Sequence, residues 1–110
     1  HHKGRNRHHW EYWTELEAGE CIPIRMPIRY VVEMWCDRIA ATKVYKGDAY
    51  RQESALRYFQ DHYDDVMMHP QTKALIELLL KDSAVYGEAH CIALIRNEVK
   101  SKGYALLEEV

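Results

Sequence analysis

A proline followed by a long helical pattern constrains the fold of this chain more than any other feature. Pro27 suits the start of a helix, where its missing N–H loses no hydrogen bond. From there to about Tyr45 apolar residues recur at helical spacing, and Gly47 suits the helix end. The main apolar stripe comprises Ile28, Val31, Val32, Trp35 and Ile39. The opposite side carries Tyr30, Met34, Ala41 and Val44, so this helix is predicted to lie buried between neighbours.

Three further helices are expected after it, over about 50–67, 70–81 and 84–102. The break at His69-Pro70 separates the second from the third, and Pro70 opens the third. Ser83 is a candidate N-cap of the fourth, which is expected to end near Gly103. No segment alternates with the period of a strand over a useful length. The sequence therefore predicts an all-α fold, a small helical bundle with the Pro27 helix at its centre.

Length and composition describe one domain over residues 1–110. The net charge of -2 gives no general electrostatic argument for binding nucleic acid or an anionic membrane. No apolar run approaches the roughly 20 residues that span a bilayer. The three cysteines are widely spaced, with no C-x-x-C, which argues against a disulfide framework and a zinc knuckle. A reducing cytoplasm is the expected location.

Histidines crowd the start of the chain. His1-His2 and His8-His9 lie close to Glu11, and neutral imidazole is the commonest metal ligand in proteins. A terminal His-His pair can also be the scar of a purification tag. That explanation does not extend to His8-His9, which lies within a string of residues that no tag supplies. This segment is therefore a candidate metal site.

Asp37 is the candidate ligand from the helical part of the chain. On a helical wheel it lies about 180° from Ile28, on the second apolar side of the Pro27 helix. A buried carboxylate there needs a cation, a cluster of donors or a route to water. A pairing with arginine or a capping role would be purely structural, whereas a metal ligand would be functional.

Three strings of residues carry a resemblance to a known family. They are His1–Trp13, Val32–Asp37 and Met67–Lys73. Together they resemble the signature of an uncharacterised bacterial and phage family, a domain of unknown function with an Asn-Arg-His-His-x-Glu motif. The resemblance extends from the first residue to about Leu80, and the first string is its most specific part. It also implies that His1-His2 is native.

The family is similar in layout to the HD-type metal-dependent phosphohydrolases, which are all-α and gather His and Asp ligands from several helices. Carried over by position, the resemblance implies that His8, His9 and Asp37 bind a divalent ion such as Mn²⁺, Fe²⁺ or Zn²⁺. His2 or His1 is a looser match as a ligand. Glu11 takes the place of the motif's Glu and is expected to orient a ligand from outside the coordination shell.

The same resemblance implies a reaction class. A metal-dependent phosphohydrolase acts on a small phosphorylated compound, such as a nucleotide. Lys3, Arg5 and Arg7 flank the histidines and are expected to receive the substrate's negative charge. The catalytic set is therefore predicted to be Glu11, Lys3 and Arg7.

One departure weakens that assignment. The superfamily's His-Asp dipeptide is absent from this sequence, which therefore resembles the C-terminal portion of a longer HD-like domain. Three outcomes stay open: a mononuclear remnant, ligands supplied by another chain as in a homodimer, or no metal. With part of the site missing, little turnover is expected from these residues alone.

Two rival functions follow from the same residues. One is a non-catalytic helical interaction module of phage or mobile-element origin, in which the histidines serve the structure. The other, less favoured, is nucleic-acid binding through the basic run Lys3–Arg7 and the aromatic run Trp10–Trp13. Aromatic residues at the start of a small helical domain more often anchor that segment to the core.

Overall fold

The computed structural model describes residues 9, 13–17 and 20–109. Its helices are α1 (Ile28–Lys46), α2 (Ser54–Asp61), α3 (Pro70–Tyr86) and α4 (Glu88–Leu94). A π turn (Ile95–Val99) continues α4 into the short α5 (Lys100–Lys102), and a 3-10 segment (Gly103–Glu109) follows. The predicted all-α class, a small helical bundle, is confirmed.

One antiparallel hairpin precedes the helices. Strand β1 (Thr14–Glu17) pairs with β2 (Glu20–Pro23), with Thr14 opposite Pro23. The hairpin was not predicted from the sequence, because four-residue strands are too short to show a clear alternation of apolar and polar residues. Between the hairpin and α1, residues 24–27 have no regular secondary structure.

Helix α1 has the predicted ends, and its second apolar side is buried only in its first half. Pro27 is its N-cap, and Gly47 ends it with a positive φ of 55°, donating its N–H to the Lys43 carbonyl. The buried side chains are Tyr30, Val31, Met34, Trp35 and Ile39. Ala41 is exposed and Val44 is 86% exposed, so the prediction that the second side is buried holds for Tyr30 and Met34 and is wrong for the last two turns.

The centre of the bundle is α3 rather than α1. It packs against α1, α2, α4 and the C-terminal 3-10 segment. Pro70 occupies its first turn, and His69 Nδ1 accepts a hydrogen bond from the Gln71 N–H, which is the expected helix entry. Its buried side chains are Thr72, Leu75, Ile76, Leu79, Leu80 and Ser83.

Ser83 lies inside α3 instead of capping the next helix. Helix α3 continues to Tyr86, and Gly87, with φ 94°, separates it from α4. The predicted N-cap was therefore wrong. The Ser83 hydroxyl is buried and bonded to the Leu79 carbonyl one turn earlier, at 2.8 Å. In the last helical run, Ile95 and Val99 are buried, whereas Ile92 is 41% exposed.

Helix α2 is shorter than the predicted 50–67. The Ser54 hydroxyl accepts a hydrogen bond from the Arg51 N–H, at 2.7 Å, which holds a turn immediately before the helix. After Asp61 the chain forms a 3-10 turn, Tyr63–Asp65. Ala55 and Phe59 are buried, as their apolar spacing predicts.

The C-terminal segment closes the junction between the hairpin and the bundle. The Met26 N–H donates to Thr72 Oγ1 at 3.0 Å, and Tyr104 O–H donates to the Met26 carbonyl. Since the Tyr104 hydrogen is used in that way, the Thr72 hydroxyl donates to the Tyr104 oxygen, 2.8 Å away. Four polar groups of three residues that are distant in the sequence thus satisfy one another.

The hairpin itself is held through Trp13. Its ring stacks on the buried Tyr30, with centroids 5.7 Å apart, and its carbonyl accepts from the Ile24 N–H at 2.7 Å. The expected anchoring role of the aromatic run is confirmed for Trp13, while Trp10 and Tyr12 lie outside the described residues. Across the ranges that the structure describes, no helix has the length and apolar character needed to cross a membrane.

Candidate functional site

A groove runs between α1 and α2. It has a volume of about 800 Å³ and is open to solvent. On α1 its residues recur at intervals of three and four, so they form a single face of that helix. Buried Met34 and Ala55 lie at its base. We call this cavity the α1–α2 groove; the described residues that line it are His9, Met34, Asp37, Arg38, Ala41, Thr42, Tyr45, Lys46, Ser54, Ala55, Arg57, Tyr58, Asp61 and His62.

The groove brings together two of the residues predicted to bind metal. His9 and Asp37, 28 positions apart in the sequence, both line it. Both are exposed. The expectation that Asp37 would be buried was therefore wrong, because its side of α1 faces the groove instead of another helix. Both side chains are therefore accessible to a ligand from solution.

Two more residues of the same chemical types line the groove, and the sequence analysis did not assign them to it. Asp61 and His62 lie at the end of α2. The His62 ring stacks on Tyr58, with centroids 4.3 Å apart, and its Nδ1 lies 2.9 Å from the Tyr58 carbonyl. Because a carbonyl only accepts, Nδ1 carries the hydrogen, and Nε2 of the neutral ring is the acceptor.

The described residues do not complete a metal site by themselves. In residues 9, 13–17 and 20–109, no three His, Cys, Asp or Glu side chains form a group that could hold an ion. The other predicted ligands, His2 and His8, lie outside those ranges, as do Glu11, Lys3 and Arg7. His9 and Asp37 are therefore the described part of the predicted set.

Three cations also line the groove, and none of them was predicted to take part in the site. Arg38 and Lys46 come from α1, and Arg57 comes from α2. The Arg38 guanidinium lies 5.1 Å from the centre of the buried Phe59 ring, a cation–π contact that orients it. No sequence motif marks these positions.

The order of residues along both helices gives the groove two ends. The connection from Lys46 to Ser54 is short, and Arg38, in the middle of α1, contacts Phe59, near the end of α2. The short connection and the contact between Arg38 and Phe59 together require α1 and α2 to run antiparallel. Asp37 therefore shares one end with Asp61 and His62, and Lys46 shares the other with the first turn of α2.

The remaining histidines belong to other parts of the surface. His90 pairs with Asp82 through Nδ1, at 2.9 Å, and stacks on Tyr86. His69 caps α3. Both have local structural partners, which leaves His9 and His62 as the described histidines of the groove.

Comparison with known proteins gives a family. Neither the comparison with curated proteins nor the comparison with solved structures gives a match. A family model described as "Family of unknown function (DUF5662)" matches residues 1–82, close to the predicted extent of the resemblance. Because that model spans 82 of the 110 residues, the chain belongs to this uncharacterised family.

Proposed function

We propose that the α1–α2 groove is the active site of a metal-dependent phosphohydrolase that acts on a small phosphorylated compound. The observation that supports this most directly is that His9 and Asp37, from segments 28 residues apart, line one solvent-accessible groove. An enzyme of this kind needs an imidazole and a carboxylate at one accessible place.

The donor types in the groove suit the proposed ion. Imidazole and carboxylate together are appropriate for Zn²⁺, Mn²⁺ or Fe²⁺. In the proposal His9 and Asp37 supply two ligands, and His8 and His2 supply the others, since the described residues hold no group of three. A bound divalent ion lowers the pKa of water and neutralises charge on a phosphoryl oxygen.

The overall reaction is hydrolysis of a phosphate ester. A bond forms between a water oxygen and phosphorus, the ester P–O bond breaks, and the released alkoxide takes a proton to become an alcohol. Glu11 is proposed to orient a ligand imidazole, and Lys3 and Arg7 to attract the substrate's charge. His62, with its proton on Nδ1, keeps Nε2 as an acceptor within the same groove.

Metal titration of protein purified without nickel resin tests the proposal. Isothermal calorimetry with Mn²⁺ or Zn²⁺ should show saturable binding, which His9→Ala and Asp37→Ala each weaken at least tenfold. His90→Ala and Asp64→Ala are matched controls, because both residues are exposed and neither lines the groove. Unchanged affinity in His9→Ala and Asp37→Ala would contradict the proposed site.

A phosphatase assay tests the reaction. With p-nitrophenyl phosphate and Mn²⁺, the chain should release phosphate slowly, and Asp37→Ala should abolish that release. Circular dichroism and thermal melting should show that the variant is folded, since Asp37 is exposed. Metal binding without any metal-dependent release, for phosphate esters of several sizes, would show that the groove is a binding site only.

A further inference from the structure

The last turn of α2 presents three side chains to the groove. Tyr58, Asp61 and His62 all line it, and residues three and four positions apart on a helix are neighbours on its surface. The Tyr58 and His62 rings are in contact, with centroids 4.3 Å apart. All three residues are exposed. They form one continuous surface, which we call the α2 end patch.

The α2 end patch lies at the Asp37 end of the groove. The Arg38 guanidinium contacts the ring of Phe59, which belongs to the same turn of α2 as the patch. Arg38 directly follows Asp37 in the sequence, and both line the groove. The groove has a volume of about 800 Å³, within the range of roughly 300–1,000 Å³ that is typical of small-molecule pockets. One small molecule can therefore lie against both Asp37 and the patch.

The polar atoms at the rim of the patch accept hydrogen bonds. The His62 Nδ1–H donates to the Tyr58 carbonyl at 2.9 Å, which leaves Nε2 of the neutral ring as an acceptor. The Asp61 carboxylate only accepts, and it makes no ion pair with another residue that the structure describes. Tyr58, 48% exposed, adds an aromatic surface between them. A matching ligand supplies hydrogen-bond donors beside an apolar face.

The charges of the groove favour donors that are neutral. Among the described residues that line it, cations outnumber carboxylates, with Arg38, Lys46 and Arg57 against Asp37 and Asp61. A ligand ammonium group would be repelled by the three cations, whereas a hydroxyl group donates a hydrogen bond without carrying charge. The ring of a sugar or another cyclic polyol combines such hydroxyls with a face of C–H groups.

We propose that the α2 end patch binds the hydroxyl-bearing ring of a phosphorylated sugar or cyclic polyol. Asp61 and His62 Nε2 accept hydrogen bonds from ring hydroxyls, and the C–H face of the ring lies against Tyr58. This deepens the proposed function, on which it rests for the position of the phosphate, by naming the class of alcohol that hydrolysis releases.

Binding of two phosphates in the presence of EDTA tests the patch without any metal. Methyl riboside 5-phosphate and cyclopentylmethyl phosphate share a five-membered ring and a phosphate, but only the riboside carries ring hydroxyls. Titration of the ¹⁵N-labelled chain should show the riboside binding about tenfold more tightly, as expected for two added hydrogen bonds. The shifts that only the riboside causes should lie at residues 58–62.

Two variants and their controls assign that preference to the patch. Asp61→Ala and His62→Phe should each weaken binding of the riboside about threefold and leave cyclopentylmethyl phosphate unchanged, which also shows that the variant is folded. The matched controls are Asp64→Ala and His90→Phe. His90 stacks on Tyr86 four residues earlier, as His62 does on Tyr58, but it does not line the groove.

The outcomes are distinct from those of the proposed function. Equal affinity for the two phosphates, no binding of either, or equal losses in the control variants would overturn the assignment of the patch. Tighter binding of 5-aminopentyl phosphate than of the riboside would also overturn it, because the patch would then select a cation. Failure to bind Mn²⁺ or Zn²⁺ would overturn the metal-dependent reaction, while a preference for the riboside in EDTA would still support the patch.

Discussion

The indole N–H of Trp35 donates to the Ser83 hydroxyl at 2.8 Å, across the interface between α1 and α3. Both residues are buried, and the Ser83 hydroxyl donates a hydrogen bond to the Leu79 carbonyl. The pair satisfies a polar group that a large apolar side chain brings into the core. It also explains why a serine occupies the inward face of α3 among leucines.

The first prediction concerns that pair. Ser83→Ala leaves the Trp35 N–H buried without an acceptor, so the free energy of unfolding should fall by about 1–3 kcal/mol. Urea unfolding monitored by circular dichroism measures the change. Ser101→Ala is the control, since that exposed hydroxyl bonds only to the Glu98 carbonyl of its own helix. Equal losses of unfolding free energy in both variants would show that Ser83 does not stabilise the fold through its hydrogen bond with Trp35.

A second prediction concerns Tyr104. Tyr104→Phe removes the hydroxyl that bonds to Met26 and Thr72, and should lower the free energy of unfolding by about 1–2 kcal/mol near neutral pH. Tyr86→Phe is the control, because the Tyr86 side chain is largely exposed. A loss no greater than that of the control would contradict this role for the hydroxyl.

The same variant should change the response to alkaline pH. Burial raises the pKa of Tyr104 above its ordinary value of 10.0, against smaller opposing effects of the Thr72 hydrogen bond and Arg25. Below pH 10 both the folded and the unfolded chain hold this proton. Above pH 10 the unfolded chain releases it first, so the hydroxyl's contribution to stability is lost as pH rises. The stability difference between the wild type and Tyr104→Phe should therefore shrink as pH rises above 10, and a constant difference would contradict this.

A third prediction separates two cysteines. Cys91 is fully buried, its thiol donates to the Leu79 carbonyl, and burial raises its pKa to about 11. Cys36 is exposed on α1. Iodoacetamide at pH 8 should label Cys36 and leave Cys91 unmodified until urea unfolds the chain. Peptide mass spectrometry measures both sites in one sample. Rapid labelling of Cys91 in the folded protein would show that α4 opens readily.

A fourth prediction concerns the turn between α3 and α4. Gly87 has φ 94° and ψ 165°, a conformation that is strained for any residue with a Cβ atom. The space around it is adequate, since an added Cβ would meet only Gln52 Oε1, at 3.6 Å. Gly87→Ala should therefore destabilise the fold by about 1–3 kcal/mol through backbone strain alone. Ala89→Gly is a useful comparison, because it should cost only about 1 kcal/mol of helix propensity. Thermal melting distinguishes the two.

The helical class could be predicted from the sequence, because prolines and glycines mark most of the boundaries that the spacing of apolar residues also indicates. Gly47, Pro70 and Gly103 all mark element boundaries as predicted. The burial of α1 could not be read in the same way. Periodicity shows that Asp37 and Ala41 share a side with apolar residues, but it does not distinguish a side covered by another helix from a side that lines a groove.

The candidate site was predictable in part. The resemblance selected His9 and Asp37, and the structure places both in one groove. It gave no indication of Arg57, Tyr58 and His62, because their role depends on how α2 pairs with α1. Charged residues on a short helix look the same in sequence whether they face bulk water or a cavity.

The matched family region ends inside a helix. It covers residues 1–82, whereas α3 continues to Tyr86. Cys91, Ile95, Val99 and Leu106 lie beyond the match and are all part of the core. Residues after 82 therefore complete the burial of α3.

The bond between Tyr104 and Met26 has a consequence for synthesis on the ribosome. It joins residues 78 positions apart, and Thr72, its other partner, precedes Tyr104 by 32. At roughly 5–20 residues per second, Tyr104 is added roughly 2–6 s after Thr72. During that interval water must satisfy the Met26 carbonyl. The helices of the groove are thus synthesised, and can pair, before the residue that closes the fold exists.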